Sequence, residues 1–220
     1  MKLKPVIKEM GHHFPFTVFS TALGLVIVVF LTVMLRTTDS GTATQQFGQL
    51  FHLFHPLHIL LSAIATTAMF WRFDRKPVKA FIVGAIGSLG ICGLSDIFLP
   101  YLGGWLIGTH MHLHVCLVEH PLVVVPFALL GILTGFFAAG KLHDRTSTIF
   151  SHSSHVLVST MASLFYFVSF GYTLRTETAF ALFVLVILAV IIPCCTSDIV
   201  FPLLTIGHPH YHREEQTTTH

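Results

Sequence analysis

Charge is what this chain has least of. Lys, Arg, Asp and Glu make up 10% of its 220 residues, hydrophobic residues make up 53%, and the mean hydropathy is +0.77. So little polar surface cannot cover a water-soluble globule, and the bilayer must be part of the solvent. Acids are scarcer still within the hydrophobic part of the apolar stretches, where only Asp96 and Asp198 are placed. Cysteine is limited to Cys92, Cys116, Cys194 and Cys195, in or beside apolar segments and without the paired spacing of a disulfide framework or a zinc ribbon. These read as buried thiols, with a soft-metal role for the adjacent Cys194 and Cys195 as the alternative.

What is abundant is apolar sequence. Six stretches are long enough to span a hydrocarbon core of roughly 30 Å: about Phe14–Leu35, Phe51–Trp71, Val78–Leu99, Leu117–Ala139, His155–Leu174 and Ala179–Ile206. The first is too long for a signal-peptide core and lacks a small-residue cleavage site, so it counts as a span. On this topology Lys2, Lys4, Lys8, Arg72, Arg75, Lys76, Lys79, Lys141, Arg145 and Arg213 share the face that holds both termini, and only Arg36 and Arg175 lie opposite. Cations near span ends are retained in the cytoplasm, so both termini are expected there, in a plasma or inner membrane.

The chain also repeats itself. Ser95-Asp96-Ile97-Phe98-Leu99-Pro100 returns as Ser197-Asp198-Ile199-Val200-Phe201-Pro202. Each is preceded by a His-x-x-His (His55/His58, His152/His155) and followed by alternating histidines (His110/His112/His114, His208/His210/His212). Glu9 with His12 and His13 before Pro15 matches Glu119 and His120 before Pro126, and Ser62 matches Ser159. One order of residue types, kept about a hundred residues apart, marks an internal duplication. With three spans per copy, the second copy must enter the membrane from the opposite side. The expected fold is therefore an all-α integral membrane protein whose six transmembrane helices form two inverted-topology three-helix repeats, 1–110 and 111–220, with a short C-terminal tail.

That topology sorts the candidate ligands into two clusters, one per face. The outer face collects His52, His55, His58, Asp96, His110, His112, His114, Glu119 and His120; the inner collects Glu9, His12, His13, His152, His155, Asp198, His208, His210 and His212. Histidines three apart share a helix face and can offer two imidazoles to one ion. A carboxylate within an apolar span is costly unless partnered, which makes both aspartates functional candidates. Pro100 and Pro202 have no N–H for the carbonyl four residues back, that of each Asp, so a break in the helix is expected at both. In the extended ladders alternate histidines would point the same way, as a row of imidazoles. The ligand set suits Zn, Ni, Co, Fe or Mn rather than Ca or Mg, with zinc or iron as the expected ion. A lone histidine here would read as a snorkelling or hydrogen-bonded side chain; the repetition is what turns the set into ligands. Gly84, Gly87, Gly90 and Gly93, with Ser88, read as a helix-packing face.

The function expected first is a membrane transporter of a divalent transition-metal ion. A membrane-embedded metalloenzyme, either a metal-dependent hydrolase or a di-metal oxidoreductase, is the alternative, and a two-haem electron carrier the third reading. The expected partners are the lipid bilayer and metal ions, not nucleic acid, with a homo-oligomer left open. One feature weighs against transport: the midplane offers little beyond Ser and Thr, so an ion would cross roughly 20 Å between clusters with few strong ligands.

Overall fold

A computed structural model describes residues 3–36, 40–139, 145–173 and 175–206. Among these the regular structure is entirely helical: α1 (Leu3–Arg36), α2 (Ser40–Phe73), α3 (Pro77–Ala85), α4 (Leu99–Leu106), α5 (Cys116–Glu119), α6 (Pro121–Ala138), α7 (Arg145–Ser169), α8 (Ala179–Cys195) and α9 (Phe201–Thr205). Five segments are long and apolar enough to cross a membrane: His13–Leu35, Thr44–Phe73, Pro77–Leu106, Pro121–Ala138 and Thr176–Thr205. They overlap five of the six expected spans, and they make this a membrane-type chain. The remaining stretch, from His155, falls in α7, which is richer in Ser and Thr and is buried almost continuously from His155 to Phe167. The boundaries differ from hydropathy in an instructive way. Helix α2 begins at Ser40 and α7 at Arg145, well before their apolar runs, so His55, His58 and His155 are mid-helix residues. The stretch expected from Leu117 is broken at His120, where α5 ends and Pro121 opens α6.

The bundle is apolar on its outside, and its polar side chains are gathered within an otherwise apolar core. Leu122, Phe137 and Phe180 are 89%, 82% and 78% exposed, whereas His58, Asp96, Ser159, Ser163 and Ser197 are fully buried. A lipid solvent asks for this distribution. Helices α2 and α7 lie together at the centre, α1 packs on α7 and α8, and α6 packs on α2 and α3. Helix α6 approaches the α2 backbone closely: a Cβ on Gly131 would sit 2.6 Å from the Leu60 carbonyl oxygen, and one on Gly135 would sit 2.9 Å from that of Ile64. Of the glycines expected as a packing face, Gly84 and Gly87 meet neighbours, at Thr67 and Thr66, while Gly90 and Gly93 face open space.

The breaks expected at the two aspartates take the form of π-helical turns, Leu94–Phe98 and Thr196–Val200, each running directly into the helix that carries its proline. Leu99 N–H reaches back five residues to Leu94 O, and Phe201 N–H likewise to Thr196 O. Widening the turn by one residue avoids the clash a proline imposes on an α-helix and re-aims the Ser-Asp side chains. After α4 the chain runs without helix from Thr109 to Val115 and docks on the end of α7: His112 N–H donates to Phe170 O at 2.9 Å. Gly171 turns beneath it with φ 129°, and a Cβ there would lie 2.6 Å from His110 O.

Candidate metal centre

Five buried side chains form a connected network through the centre of the bundle. His55 and His58, one turn apart on α2, both present Nδ1 to Asp96 Oδ2, at 2.9 and 2.7 Å. His155 Nδ1 on α7 meets Asp198 Oδ2 at 2.6 Å. With their Nδ1 atoms held by carboxylates, His58 and His155 turn Nε2 toward each other, 2.6 Å apart. Two ring nitrogens so placed can share a proton or, spread slightly, a metal ion, and the carboxylate behind each imidazole is the arrangement that orients histidine ligands. His58, Cys92 and His155 bring one donor atom each within 4.8 Å of one another, all buried.

Hydroxyls hold this chain in register. Asp96 Oδ1 accepts from Ser95 at 2.8 Å and from Ser159 at 3.2 Å, so both its oxygens are occupied. Thr66 donates to the Ser197 carbonyl at 3.2 Å, and Ser163 donates to the Ser95 carbonyl at 3.1 Å. Each π turn is thus bonded from the central helix of the other half. Beside Asp198, a cavity of ≈ 10 Å³, about the space of one water, is lined by His13, Thr17, Cys194 and Cys195 among others.

A second group lies toward the docked 109–115 segment, where His52, His114 and His120 also gather their donor atoms within 4.8 Å. Glu119 Oε2 holds His114 Nδ1 at 2.9 Å and Oε1 accepts from Val115 N–H at 3.1 Å. Cys116 Sγ stands 3.5 Å from both His52 and His114. Burial lowers the His114 pKa below the usual histidine value, with Glu119 opposing the shift. Burial also pushes the Cys116 thiol up to about 12, so an ion at this mouth would meet imidazole and carboxylate first. Phe51 stands between the two groups, stacked on His55 at 5.3 Å and edge-on to His114 at 6.2 Å.

No protein-family model, curated protein or solved structure matches this chain. Its chemistry is therefore read from these side chains alone.

The arrangement corrects the picture of separate clusters at opposite faces. The Asp96 and Asp198 groups join at the His58–His155 contact, because α2 and α7 start before their apolar runs and bring the histidines to mid-helix. The ladder does not act as a row either: His114 turns inward while His110 and His112 stay exposed, since the segment is pinned to α7 through its backbone. His13 lines the Asp198 cavity. The side chains of Glu9, His12 and His152, and all of His208, His210 and His212, lie outside the described residues. Cys92 was missed as a candidate, although Cys92 and Cys194 each stand three residues before the serine of the repeated motif.

Tyr166 tests the mouth group. Its Oη donates to His112 O at 3.2 Å and accepts from His114 N–H at 3.1 Å. Tyr166→Phe is expected to weaken metal binding at the mouth by about tenfold, the usual cost of losing an orienting partner. Isothermal titration of zinc should show one weakened and one unchanged class of site; two unchanged classes would mean that the mouth does not depend on this anchor.

Proposed function

We propose that this chain is a membrane transporter of a divalent transition-metal ion, zinc or iron, built as two inverted three-helix repeats with both termini in the cytoplasm. The observation that carries the reading is the Asp96–His58–His155–Asp198 chain, buried at mid-helix where the sequence had promised an apolar midplane. A strong ligand set midway along the central helices removes the main objection to an ion path. The mouth group of His52, His114 and His120 would load the ion, and Phe51 would separate loading from the central site. Duplication is supported by π turns at matching positions, by the reciprocal Thr66 and Ser163 bonds, and by α1 and α6 each packing on helices of the opposite half. Helix α7 serves as the sixth span, since a helix enclosed by others needs no apolar surface of its own. A catalytic metal keeps a position open for substrate, whereas the space beside Asp198 suits an ion or a water.

The direct test is stoichiometric. Purified, tag-free protein washed with a mild chelator should retain about one or more transition-metal ions per chain, given how tightly pre-arranged His-based sites hold such ions. Elemental analysis finding less than roughly a tenth of an ion per chain would leave no basis for a metal function.

A further inference from the structure

We propose that Cys92 and Cys194 are metal ligands, completing with His58 and His155 a two-thiolate, two-imidazole centre, so that the ion carried is thiophilic, of the zinc type, rather than iron or manganese. This rests on the transport reading and narrows its substrate. Asp96 is spoken for as a ligand: its two oxygens accept from His55, His58, Ser95 and Ser159. That leaves an ion at the His58–His155 junction in need of other donors, and two sulfurs stand beside it. Cys92 shares the 4.8 Å donor group with both histidines, and Cys194 Sγ lies 3.7 Å from His58 Nε2. Cys194 Sγ is hydrogen-bonded with Ser159 at 3.5 Å, and each cysteine stands three residues before the serine of its repeated motif.

Two histidines and two cysteines make the four-donor set that tetrahedral zinc takes; sulfur discriminates against manganese and magnesium, which prefer oxygen, and in the general order of divalent affinities zinc stands above ferrous iron. Charge points the same way. Binding replaces two thiol protons by one divalent ion, M²⁺ + 2 RSH giving M(SR)₂ + 2 H⁺, so the coordinated core is neutral in a setting where an unbalanced charge is costly.

Cobalt(II) titrated into the full-length protein in detergent tests this. The expected result is a near-ultraviolet thiolate-to-cobalt charge-transfer band with the strong visible bands of tetrahedral cobalt, displaced by zinc. Cys92→Ser and Cys194→Ser should each diminish the band and lower zinc affinity by on the order of tenfold or more, while Cys116→Ser leaves the band intact. Cobalt bound at about one ion per chain without a charge-transfer band, or a band lost only in Cys116→Ser, overturns the thiolate centre and leaves the transport reading standing. The wild-type band needs no variant to fold. Conversely, a wild-type protein that shows the band but passes no zinc into proteoliposomes keeps the thiolate centre and removes the transport reading.

Discussion

Asp96→Asn and Asp198→Asn are each expected to abolish transition-metal flux into proteoliposomes and to lower metal affinity by roughly 10–100-fold. The reason lies in the hydrogen-bond balance. Asp96 receives four donors, two imidazole N–H groups on Oδ2 and two serine hydroxyls on Oδ1. An amide replaces one acceptor oxygen with a donor, so two of these groups lose their partner in a buried site, and His58 loses the charge that fixes its tautomer. Asp198 stands in the same relation to His155. Because the two imidazoles meet at one point, the double variant should be no worse than either single, as for residues acting as one unit. Flux that survives Asp198→Asn while vanishing in Asp96→Asn would mean that the two halves do not serve a common path.

Gly131→Leu should be the most destabilising substitution outside the polar centre. A Cβ at Gly131 would lie 2.6 Å from both the Leu60 carbonyl oxygen and Ala63 Cβ, and one at Gly135 would lie 2.7 Å from Thr67 Cβ. Helix packing in lipid depends on small residues that let backbones approach, since no hydrophobic drive compensates for a gap. Overpacking of this kind costs about 1–3 kcal/mol even for small additions, and a leucine would push α6 away from the helix that carries His52, His55 and His58. Gly90→Leu is the control, because a Cβ there meets nothing within 4 Å. Detergent thermal unfolding and size-exclusion profiles should separate the two variants clearly; equal tolerance would refute the close α2–α6 contact.

The repeated Ser-Asp motif and its proline were legible in the sequence down to the local backbone: both sites carry the expected break, as a π turn. The five apolar helices were legible too, because hydropathy reports what faces lipid. It does not report where a helix begins. The polar first turns of α2 and α7 are invisible to it, so His55, His58 and His155 were assigned to span ends when they sit mid-helix. Cys92 reads from the sequence as a buried thiol and Cys194 pairs there with the adjacent Cys195, whereas the signal that joins Cys92 to Cys194 is their equal spacing from the repeated serine. The close contacts of Gly131 and Gly135 are not legible in the sequence for a related reason, since a glycine's contact depends on what the partner helix offers.

The two aspartates also differ in when their partners come into being. Synthesis runs from the N-terminus, so Asp96 leaves the ribosome with His55 and His58 already made, and its carboxylate can be matched before α7 exists. Ser159 and the contact with His155 then join a pair already in place. Helix α1 has the opposite history: its chief packing partners, α7 and α8, are made last. Until they arrive it rests mainly against lipid, and Phe19, Val26 and Phe30, which remain outward in the finished bundle, suit it to that wait. The half made first has its carboxylate largely matched but its packing unfinished, and the arrival of α7 and α8 adds the last donor to Asp96 and closes the bundle around it.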